Sequence, residues 1–252
     1  MKHPEFRLPF ATSKNRRAFL KDAGALGAFV LVGGCSGTAM TAVEEDELTS
    51  GIAAPPVPDG VEPRYALMYA AVETEPFPVP AVDLTKIDPA FLRREVAYPT
   101  PEPPGTIVVD PAARYLYHIG PDGMATRYGV GVGREGFGWS GDAYIKFKRE
   151  WPDWYPVQEM LERQPEIKDM LVPLQSGMGL PGGPRNPIGA RGLYLWQGNE
   201  DTLYRIHGTT EPHTIGRSVS SGCIRMINQD VMHLYERVEV DTPVKVLSQQ
   251  VV

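Results

Sequence analysis

The sequence has few cysteines, and it lacks both a long apolar run and an excess of positive charge. Only 2 cysteines occur among 252 residues, Cys35 and Cys223, and they form no Cys-x-x-Cys pair of the kind that zinc sites use. The apolar run at residues 23–34 is shorter than the roughly 20 residues that span a bilayer. The formal net charge of −6 argues against a nucleic-acid-binding protein, which normally carries a basic surface.

Residues 1–39 are typical of an export signal. The basic pair Arg16-Arg17 precedes the apolar run, whose length suits the core of a signal peptide. The order Arg-Arg-x-Phe-Leu-Lys resembles the twin-arginine export signal, with an ordinary secretory signal or a short buried helix as the alternatives. The protein is therefore expected in the periplasm or elsewhere in the cell envelope.

Two cleavage sites compete at the end of this signal. Residues 32–35 resemble a lipobox, in which Cys35 would be lipidated and would tether the protein to a membrane surface. Small residues at 37–39 offer ordinary cleavage after Ala39, which would release a soluble protein. In both cases Cys223 has no thiol partner in the mature chain, which is unusual in an oxidising compartment.

Residues 40–104 are rich in proline and are interpreted as a linker that contains short packing elements. Proline-rich stretches favour extended conformations with little internal hydrogen bonding. Within them, Tyr65–Val72 and Pro89–Glu95 are candidates for short helices that pack on the main domain. Plain disorder is the alternative for residues 40–60.

Residues 105–248 are expected to form the folded domain. Alternating β-branched and aromatic runs predict strands, including a hairpin formed by "TIVVD" and "RYLYHIG". Further strands are predicted at "MATRYGVGVG", "GLYLW", "TLYRI" and "TPVKVL". One helix is predicted at "NQDVMHLYERV", with Asn228 placed to cap it. The expected fold is mainly β, an antiparallel sandwich or barrel-like domain with one packed helix.

Residues 139–183 interrupt this succession of strands. They contain "WPDWYP", a short predicted helix at "VQEMLERQ" and the glycine-rich "SGMGLPGGPRNP". An insertion of this length in a β domain is often a lid or a substrate-binding flap. The alternative is a surface excursion anchored by Trp151 and Trp154.

The segment from His207 to Met226 carries the candidate chemistry. Cysteine attacks as the thiolate, so Cys223 requires a base, and His207 at the end of a predicted strand is the candidate. Gly222 permits a tight turn from which its own N–H and that of Cys223 could bind one oxyanion. A base, a nucleophile and two oxyanion donors are the parts of a thiol acyl-transfer site.

These residues also admit other interpretations. His207, His213 and Cys223 could ligate zinc, but the set is sparse and His213 lies in a proline-flanked loop. A papain-like peptidase is disfavoured because there the cysteine precedes the histidine in sequence. His118 and His233 are expected to be structural or exposed.

Several separated motifs resemble one known family. These are His207-Gly208-Thr209, the segment 220–226 (SSGCIRM) and the upstream segment 182–195 (GGPRNPIGARGLYL). They are similar to the signature of the L,D-transpeptidase catalytic domain of YkuD type, particularly the ErfK/YbiS-like group of Gram-negative members. The resemblance covers most of residues 105–248.

The resemblance implies a β-rich fold, no cofactor and no metal, and it assigns roles to individual residues. Cys223 would be the nucleophile, His207 the proton acceptor and donor, and Gly208 the carbonyl that orients the imidazole. Gly222 would supply an oxyanion N–H. The residues expected to bind substrate are Thr209, Ser220, Ser221 and Arg225. Many family members carry histidine at the position of Ser221, which puts in doubt any proton-relay role there.

The implied reaction is acyl transfer on the stem peptides of peptidoglycan. The enzyme would cleave after the diamino acid at position three, release D-alanine and pass the acyl group to an amine. The acceptor would be another stem peptide or a protein, for example an outer-membrane lipoprotein. The alternatives are an L,D-carboxypeptidase or endopeptidase that uses the same thioester, and a non-catalytic wall-binding lipoprotein.

Overall fold

The computed structural model of the protein describes residues 60–134, 138–220 and 222–248. The expected export signal with Cys35, and Ser221, lie outside these residues. Within the described ranges, every helix is too short or too polar to cross a membrane.

Strands dominate the fold. They are β1 (Arg94–Ala97), β2 (Ile107–Asp110), β3 (Tyr115–Ile119), β4 (Met124–Gly129), β5 (Val132–Gly133), β6 (Gly141–Glu150), β7 (Val172–Leu174), β8 (Gly177–Gly179), β9 (Arg191–Gln197), β10 (Glu200–His207), β11 (Ser218–Ser220), β12 (Ile224–Arg225) and β13 (Pro243–Val246). The helices are α1 (Arg64–Met68), α2 (Gln158–Arg163) and α3 (Asn228–Tyr235), with 3-10 turns at Leu84–Lys86, Pro89–Phe91, Pro165–Met170 and Pro212–Thr214.

One nine-stranded sheet organises the domain, in the order β1-β4-β3-β2-β13-β6-β9-β10-β12. The predicted hairpin of β2 and β3 is confirmed as an antiparallel pair that continues into β4. The mainly β expectation is confirmed, but the sheet is mixed, because β13 runs parallel to β2 and β12 parallel to β10. The second of these parallel pairs positions the candidate site.

Helix α3 packs on the sheet and closes the main core. Val231 and Leu234 are fully buried against strand residues such as Leu193 and Ile206. Burying a side chain of this size contributes about 1.5–3 kcal/mol relative to leaving it exposed. The predicted cap at Asn228 is wrong: Ile227 occupies the N-cap position and makes no side-chain cap. The Asn228 side chain is instead used elsewhere, as described below.

Part of the segment predicted as a linker packs on the domain. Tyr69 and Leu84 are fully buried, and they form a second apolar cluster with Ile215 and Ile227 of the main domain. Both short helices expected there have counterparts in α1 and in the turn at Pro89–Phe91. Strand β1, which was not predicted, adds the edge strand of the sheet by pairing with β4.

The predicted insertion at 139–183 is wrong over roughly its first quarter. Residues 141–150 form β6, a central strand between β13 and β9. This strand carries Lys146 and Lys148 and has only Ile145 fully buried, so its apolar pattern is weak. The true excursion begins after Trp151 and contains α2, as predicted, followed by the hairpin of β7 and β8.

Candidate active site

His207 and Cys223 reach the same cavity because β10 and β12 are adjacent parallel strands. Their register pairs Ile206 with Ile224 and His207 with Arg225, so Cys223 directly precedes the strand beside β10. His207, Ser220, Cys223 and Arg225 all line one cavity of about 720 Å³, here called the Cys223 cavity. Cys223 lies sixteen positions after His207 in the sequence, and sheet pairing brings their strands together.

His207 is buried and is held by its own neighbour. Its Nδ1 lies 2.6 Å from the carbonyl oxygen of Gly208, a distance at which Nδ1–H donates to that carbonyl. Burial lowers the pKa of His207 to about 4, although backbone hydrogen bonds to Gly208 and Ile188 partly offset this. The imidazole is therefore neutral at pH 7, and with the proton on Nδ1 its Nε2 retains a lone pair.

The loop after His207 is fixed by Asn228. The Asn228 side chain accepts a hydrogen bond from the N–H of Ala190 at 3.0 Å and donates one to the carbonyl of Thr209 at 3.0 Å. A Cβ on Gly208 would lie 2.0 Å from Asn228 Oδ1, and one on Gly189 would lie 2.3 Å away. A glycine must follow the histidine because the amide of Asn228 occupies the space.

Cys223 is half-buried and its thiol is not hydrogen-bonded to the histidine. Its Sγ lies 4.0 Å from the carbonyl oxygen of Leu203, and within the described residues no hydrogen bond joins it to the His207 ring. Burial raises the pKa of the Cys223 thiol, and the backbone and charge of Arg205 partly oppose this. The resting site therefore holds a thiol and a neutral imidazole rather than a thiolate–imidazolium pair.

A residue in an unusual backbone conformation presents the carbonyl that faces the sulfur. Leu203 has φ of 62° and lies where the pairing of β10 with β9 shifts between Asp201 and Arg205. A left-handed conformation at a non-glycine residue costs of order 1 kcal/mol or more and is often found at functional sites. The bulge therefore turns the Leu203 carbonyl out of the ladder and towards Cys223.

The turn before Cys223 is closed by Ser220. The buried Ser220 Oγ donates to the carbonyl of Cys223 at 2.7 Å and accepts from the N–H of Gly222 at 3.2 Å. Gly222 has φ of 128°, a conformation that requires glycine. Because Ser220 already binds the Gly222 N–H, that group could serve an oxyanion only after this bond is exchanged.

The other predicted substrate-binding residues differ in position. Arg225 lines the Cys223 cavity and pairs with Glu211, with its nitrogen 3.2 Å from the carboxylate oxygen. Thr209 is buried and its Oγ1 accepts the N–H of Glu211, so its hydroxyl stabilises the loop. Thr209 lines a separate pocket of about 200 Å³ rather than the Cys223 cavity.

Several cavity residues were not found from the sequence. Besides Arg225, the Cys223 cavity is lined by Arg134, Arg163 and Arg185, and by Glu211. Arg185 lies in the segment that carries the family resemblance, which could have directed attention to it. Arg134 follows a two-residue strand and carries no sequence signal.

The histidines outside the pair do not assemble a metal site. In the described ranges no three or more His, Cys, Asp or Glu side chains cluster as metal ligands would. His213 does not line the Cys223 cavity. His233 lies 2.8 Å from the Tyr128 hydroxyl through its Nδ1, and burial lowers the pKa of His118.

Comparison with known proteins finds relatives that share this region. The family model for YkuD, the L,D-transpeptidase catalytic domain, matches residues 104–246. The chain is 32% identical over 150 residues to "Probable L,D-transpeptidase ErfK/SrfK" of Escherichia coli K12, which covers 58% of this chain and 44% of the relative. It is 33% identical over 151 residues to "Probable L,D-transpeptidase YbiS" of the same organism, covering 58% and 45%. The chain thus spans less than half the length of these two curated relatives.

Among solved structures, a Brucella melitensis protein is 46% identical and covers 68% of this chain and 98% of its own. It is described as a "Probable carnitine operon oxidoreductase caia", and the TM-score of the superposition is 0.43.

Proposed function

The chain belongs to the YkuD family of L,D-transpeptidase catalytic domains, and from this membership we propose that it transfers peptidoglycan stem peptides through a thioester. One observation carries the proposal. His207 ends β10, Cys223 directly precedes the adjacent strand β12, and both residues line the same cavity. Arg225 of β12 is the register partner of His207. A base and a nucleophile that share one cavity are the minimum for thiol acyl transfer.

In the first step, the neutral His207 takes the proton of the Cys223 thiol as the sulfur attacks the stem-peptide carbonyl. Because burial keeps the pKa of His207 near 4, the ring is available as a base throughout the neutral range. The protonated ring then returns the proton to the amine of the departing D-alanine. A carbon–sulfur bond forms and the amide carbon–nitrogen bond breaks, which leaves a thioester on Cys223.

This step requires His207 and Cys223 to approach more closely than in the resting structure, where the sulfur faces the Leu203 carbonyl. Hydrogen bonds of catalytic groups often tighten only when substrate is bound. The Cys223 N–H is the proposed oxyanion donor, and the Gly222 N–H joins it if it exchanges its bond to Ser220.

In the second step, an amine attacks the thioester and takes the acyl group from sulfur. The acceptor amine belongs to a second stem peptide or to a protein such as an outer-membrane lipoprotein. Water attacking in its place makes the enzyme an L,D-carboxypeptidase. The excursion after Trp151 lines the cavity through Trp154, Met160 and Leu180, so it is suited to limit the access of water.

The proposed reaction also requires export, because peptidoglycan lies outside the cytoplasm. The proposal therefore includes the N-terminal export signal and delivery to the periplasm or cell envelope. Lipidation at Cys35 would tether the enzyme to a membrane there. Metabolic labelling with a palmitate analogue in wild type and in Cys35→Ala would decide between a tethered and a released protein.

The function is tested by incubating the full-length chain with a stem tetrapeptide and following products by mass spectrometry. We expect a thioester on Cys223, free D-alanine and, when an acceptor amine is added, a cross-linked product. Cys223→Ala should give none of these while keeping its circular dichroism spectrum. His207→Gln should lower the rate of thioester formation by about two to four orders of magnitude.

The two alternatives give different products in the same assay. A carboxypeptidase would release D-alanine and tripeptide with no cross-linked product at any acceptor concentration. A non-catalytic wall-binding protein would leave the tetrapeptide unreacted and would form no thioester.

A further inference from the structure

The Cys223 cavity is positively charged although the protein as a whole is acidic. Four arginines line it, at 134, 163, 185 and 225, against one carboxylate, that of Glu211. The formal net charge of the chain is −6. Low-dielectric walls lined by one sign of charge concentrate ligands of the opposite sign. The cavity is therefore suited to a substrate that carries carboxylates.

Arg225 is not free to bind such a substrate alone. Its guanidinium forms an ion pair with the carboxylate of Glu211. Within the described residues, the side chains of Arg134 and Arg185 have no ion pair or hydrogen bond, and both are exposed. They are the cavity cations whose charge is not compensated by the protein.

Arg134 lies beside the nucleophile. Its backbone N–H donates to the carbonyl of Ser220 at 3.1 Å, and Ser220 in turn closes the turn that ends at Cys223. The backbone of Arg134 therefore belongs to the same wall of the cavity as Cys223.

Arg185 lies in the part of the cavity wall that leads to the base. It belongs to a turn fixed by the buried Asn186, whose side chain donates to the carbonyls of Pro152 and Leu180 and accepts the N–H of Ile188. The backbone of Ile188 adjoins the His207 ring closely enough to oppose the lowering of its pKa. Arg185 is thus held on a pre-organised wall on the histidine side of the cavity.

Resting on the proposed function, we propose that Arg185 and Arg134 select the donor by binding one carboxylate on each side of the scissile bond. Arg185 binds the C-terminal carboxylate of the leaving residue, which must lie near His207 because that ring protonates its amine. Arg134 binds the side-chain carboxylate of a diaminopimelate at position three, which remains with the acyl group on Cys223. Guanidinium groups suit this task because they bind carboxylates in a bidentate manner.

The proposed contact with Arg185 also makes the length of the donor matter. A donor must end one residue after the diamino acid for its terminal carboxylate to reach Arg185. A pentapeptide or an internal peptide bond lacks a carboxylate at that place. Arg185 would therefore select the length of the donor, and Arg134 would select the charge of the side chain at position three.

The test uses three soluble donors with the full-length chain. They are a tetrapeptide with diaminopimelate and a free C-terminus, the same peptide as its C-terminal amide, and the tetrapeptide with lysine at position three. The wild type should favour the first donor over each of the others by about tenfold in kcat/KM for D-alanine or D-alaninamide release, the size expected for one charge-assisted hydrogen bond.

Each arginine variant should lose one preference and keep the other. Arg185→Gln should no longer distinguish acid from amide but should still prefer diaminopimelate to lysine. Arg134→Gln should show the reverse pattern. Arg217→Gln removes an exposed cation that does not line the cavity, and it should retain both preferences.

The outcomes separate this inference from the proposed function. If the wild type forms no thioester with any donor, the proposed function fails. If it forms the thioester but reacts equally with all three donors, or if both variants keep both preferences, the arginine assignment is overturned while the function stands. Rates of Cys223 alkylation by the uncharged reagent iodoacetamide should be unchanged in both variants, so that a lost preference reports on donor binding. An arginine whose variant loses its preference only together with Cys223 alkylation is not a donor-selecting residue, and its assignment is overturned.

Discussion

Where the N-terminal segment packs on the domain, the buried Arg191 and the mostly buried Glu75 form an ion pair with their charged atoms 2.7 Å apart. Within the described residues, the buried His207 and the half-buried Cys223 form no ion pair. The Arg191 hydrogen bond holds the pKa of Glu75 below its usual value, so that pair stays ionised. Burial has the opposite effect in the cavity, where it keeps the imidazole and the thiol neutral. Burial alone therefore does not make a group reactive. An ion pair that is already charged stabilises the fold, whereas a neutral imidazole and a neutral thiol that share a cavity can still exchange a proton.

A second buried cluster shows an intermediate case. Asp230 at the start of α3 is fully buried, with Arg93 of the N-terminal segment 3.4 Å away and the Tyr69 hydroxyl 3.1 Å away. Burial raises the pKa of Asp230 to about 7, although Arg93 opposes the shift. The packed N-terminal segment thus contributes two polar contacts to the start of α3, which argues that residues 60–98 are part of the folded unit.

The largest effect is expected at the Glu75–Arg191 pair. Glu75→Ala should lower the free energy of unfolding by about 3 kcal/mol, because it leaves the Arg191 guanidinium buried without its counter-charge. It also removes the acceptor of the Trp151 indole N–H. Urea denaturation of the variant measures the loss. Glu73→Ala, an exposed neighbour, should stay within about 0.5 kcal/mol of wild type. If Glu75→Ala lowers the free energy of unfolding by less than about 1 kcal/mol, the ion pair does not stabilise the fold as proposed.

The next effect is expected at Tyr69. Its hydroxyl accepts the N–H of Arg93 at 2.8 Å and donates to Asp230, so Tyr69→Phe leaves buried polar groups without a partner. We expect a loss of about 2 kcal/mol in the same denaturation experiment. The matched control is Tyr65→Phe, a buried tyrosine one helical turn earlier, whose hydroxyl makes no hydrogen bond within the described residues. Equal losses in both variants would contradict the role given to the hydroxyl.

In the cavity, the expected effect is a change in pH dependence. Because burial raises the pKa of Cys223, its thiolate is scarcer at pH 7 than that of a free cysteine, whose pKa is about 8.5. The rate of iodoacetamide alkylation should therefore keep rising with pH beyond that value. The unfolding free energy should depend on pH in the corresponding way. A raised thiol pKa stabilises the folded state at low pH, and this contribution is lost as the pH rises through the folded-state pKa.

His207 provides the control for that measurement. With its pKa near 4, the ring carries no charge at pH 7 and cannot hold a thiolate by charge attraction. His207→Gln should therefore leave the pH midpoint of alkylation in place while slowing thioester formation by about two to four orders of magnitude. A midpoint near pH 6 in wild type that moves upward in His207→Gln would instead reveal a thiolate–imidazolium pair.

The sequence predicts elements well where the apolar pattern is strong and poorly where pairing partners decide. The β2–β3 hairpin has continuous β-branched and aromatic residues and was predicted. Strand β6 was missed because lysines alternate along it, and its place between β13 and β9 is set by long-range pairing. The Asn228 cap failed for a related reason, since tertiary contacts with Ala190 and Thr209 compete for its amide.

The site shows the same division. The family motif is sufficient to single out His207 and Cys223, because the residue types themselves carry the chemistry. It does not reveal which cations in the cavity are neutralised, since that depends on the spatial pairing of Glu211 with Arg225. The uses of Ser220 and Thr209 in closing turns were likewise hidden, because a hydroxyl that binds backbone looks the same in sequence as one that binds substrate.

The smallest effect on stability is expected at the cavity's own ion pair. Glu211 is more than half exposed, so its pair with Arg225 contributes less than about 1 kcal/mol, and Glu211→Gln should change the unfolding free energy by about 0.5 kcal/mol at most. The same substitution releases Arg225 and makes the cavity more positive, which should lower the KM for a donor that carries carboxylates, most clearly at low ionic strength. Steady-state kinetics of Glu211→Gln at two salt concentrations, beside denaturation of the same variant, measures both. If the variant is instead destabilised as strongly as Glu75→Ala, the Glu211–Arg225 pair stabilises the fold as much as the Glu75–Arg191 pair does. The proposed difference between the two regions would then be wrong.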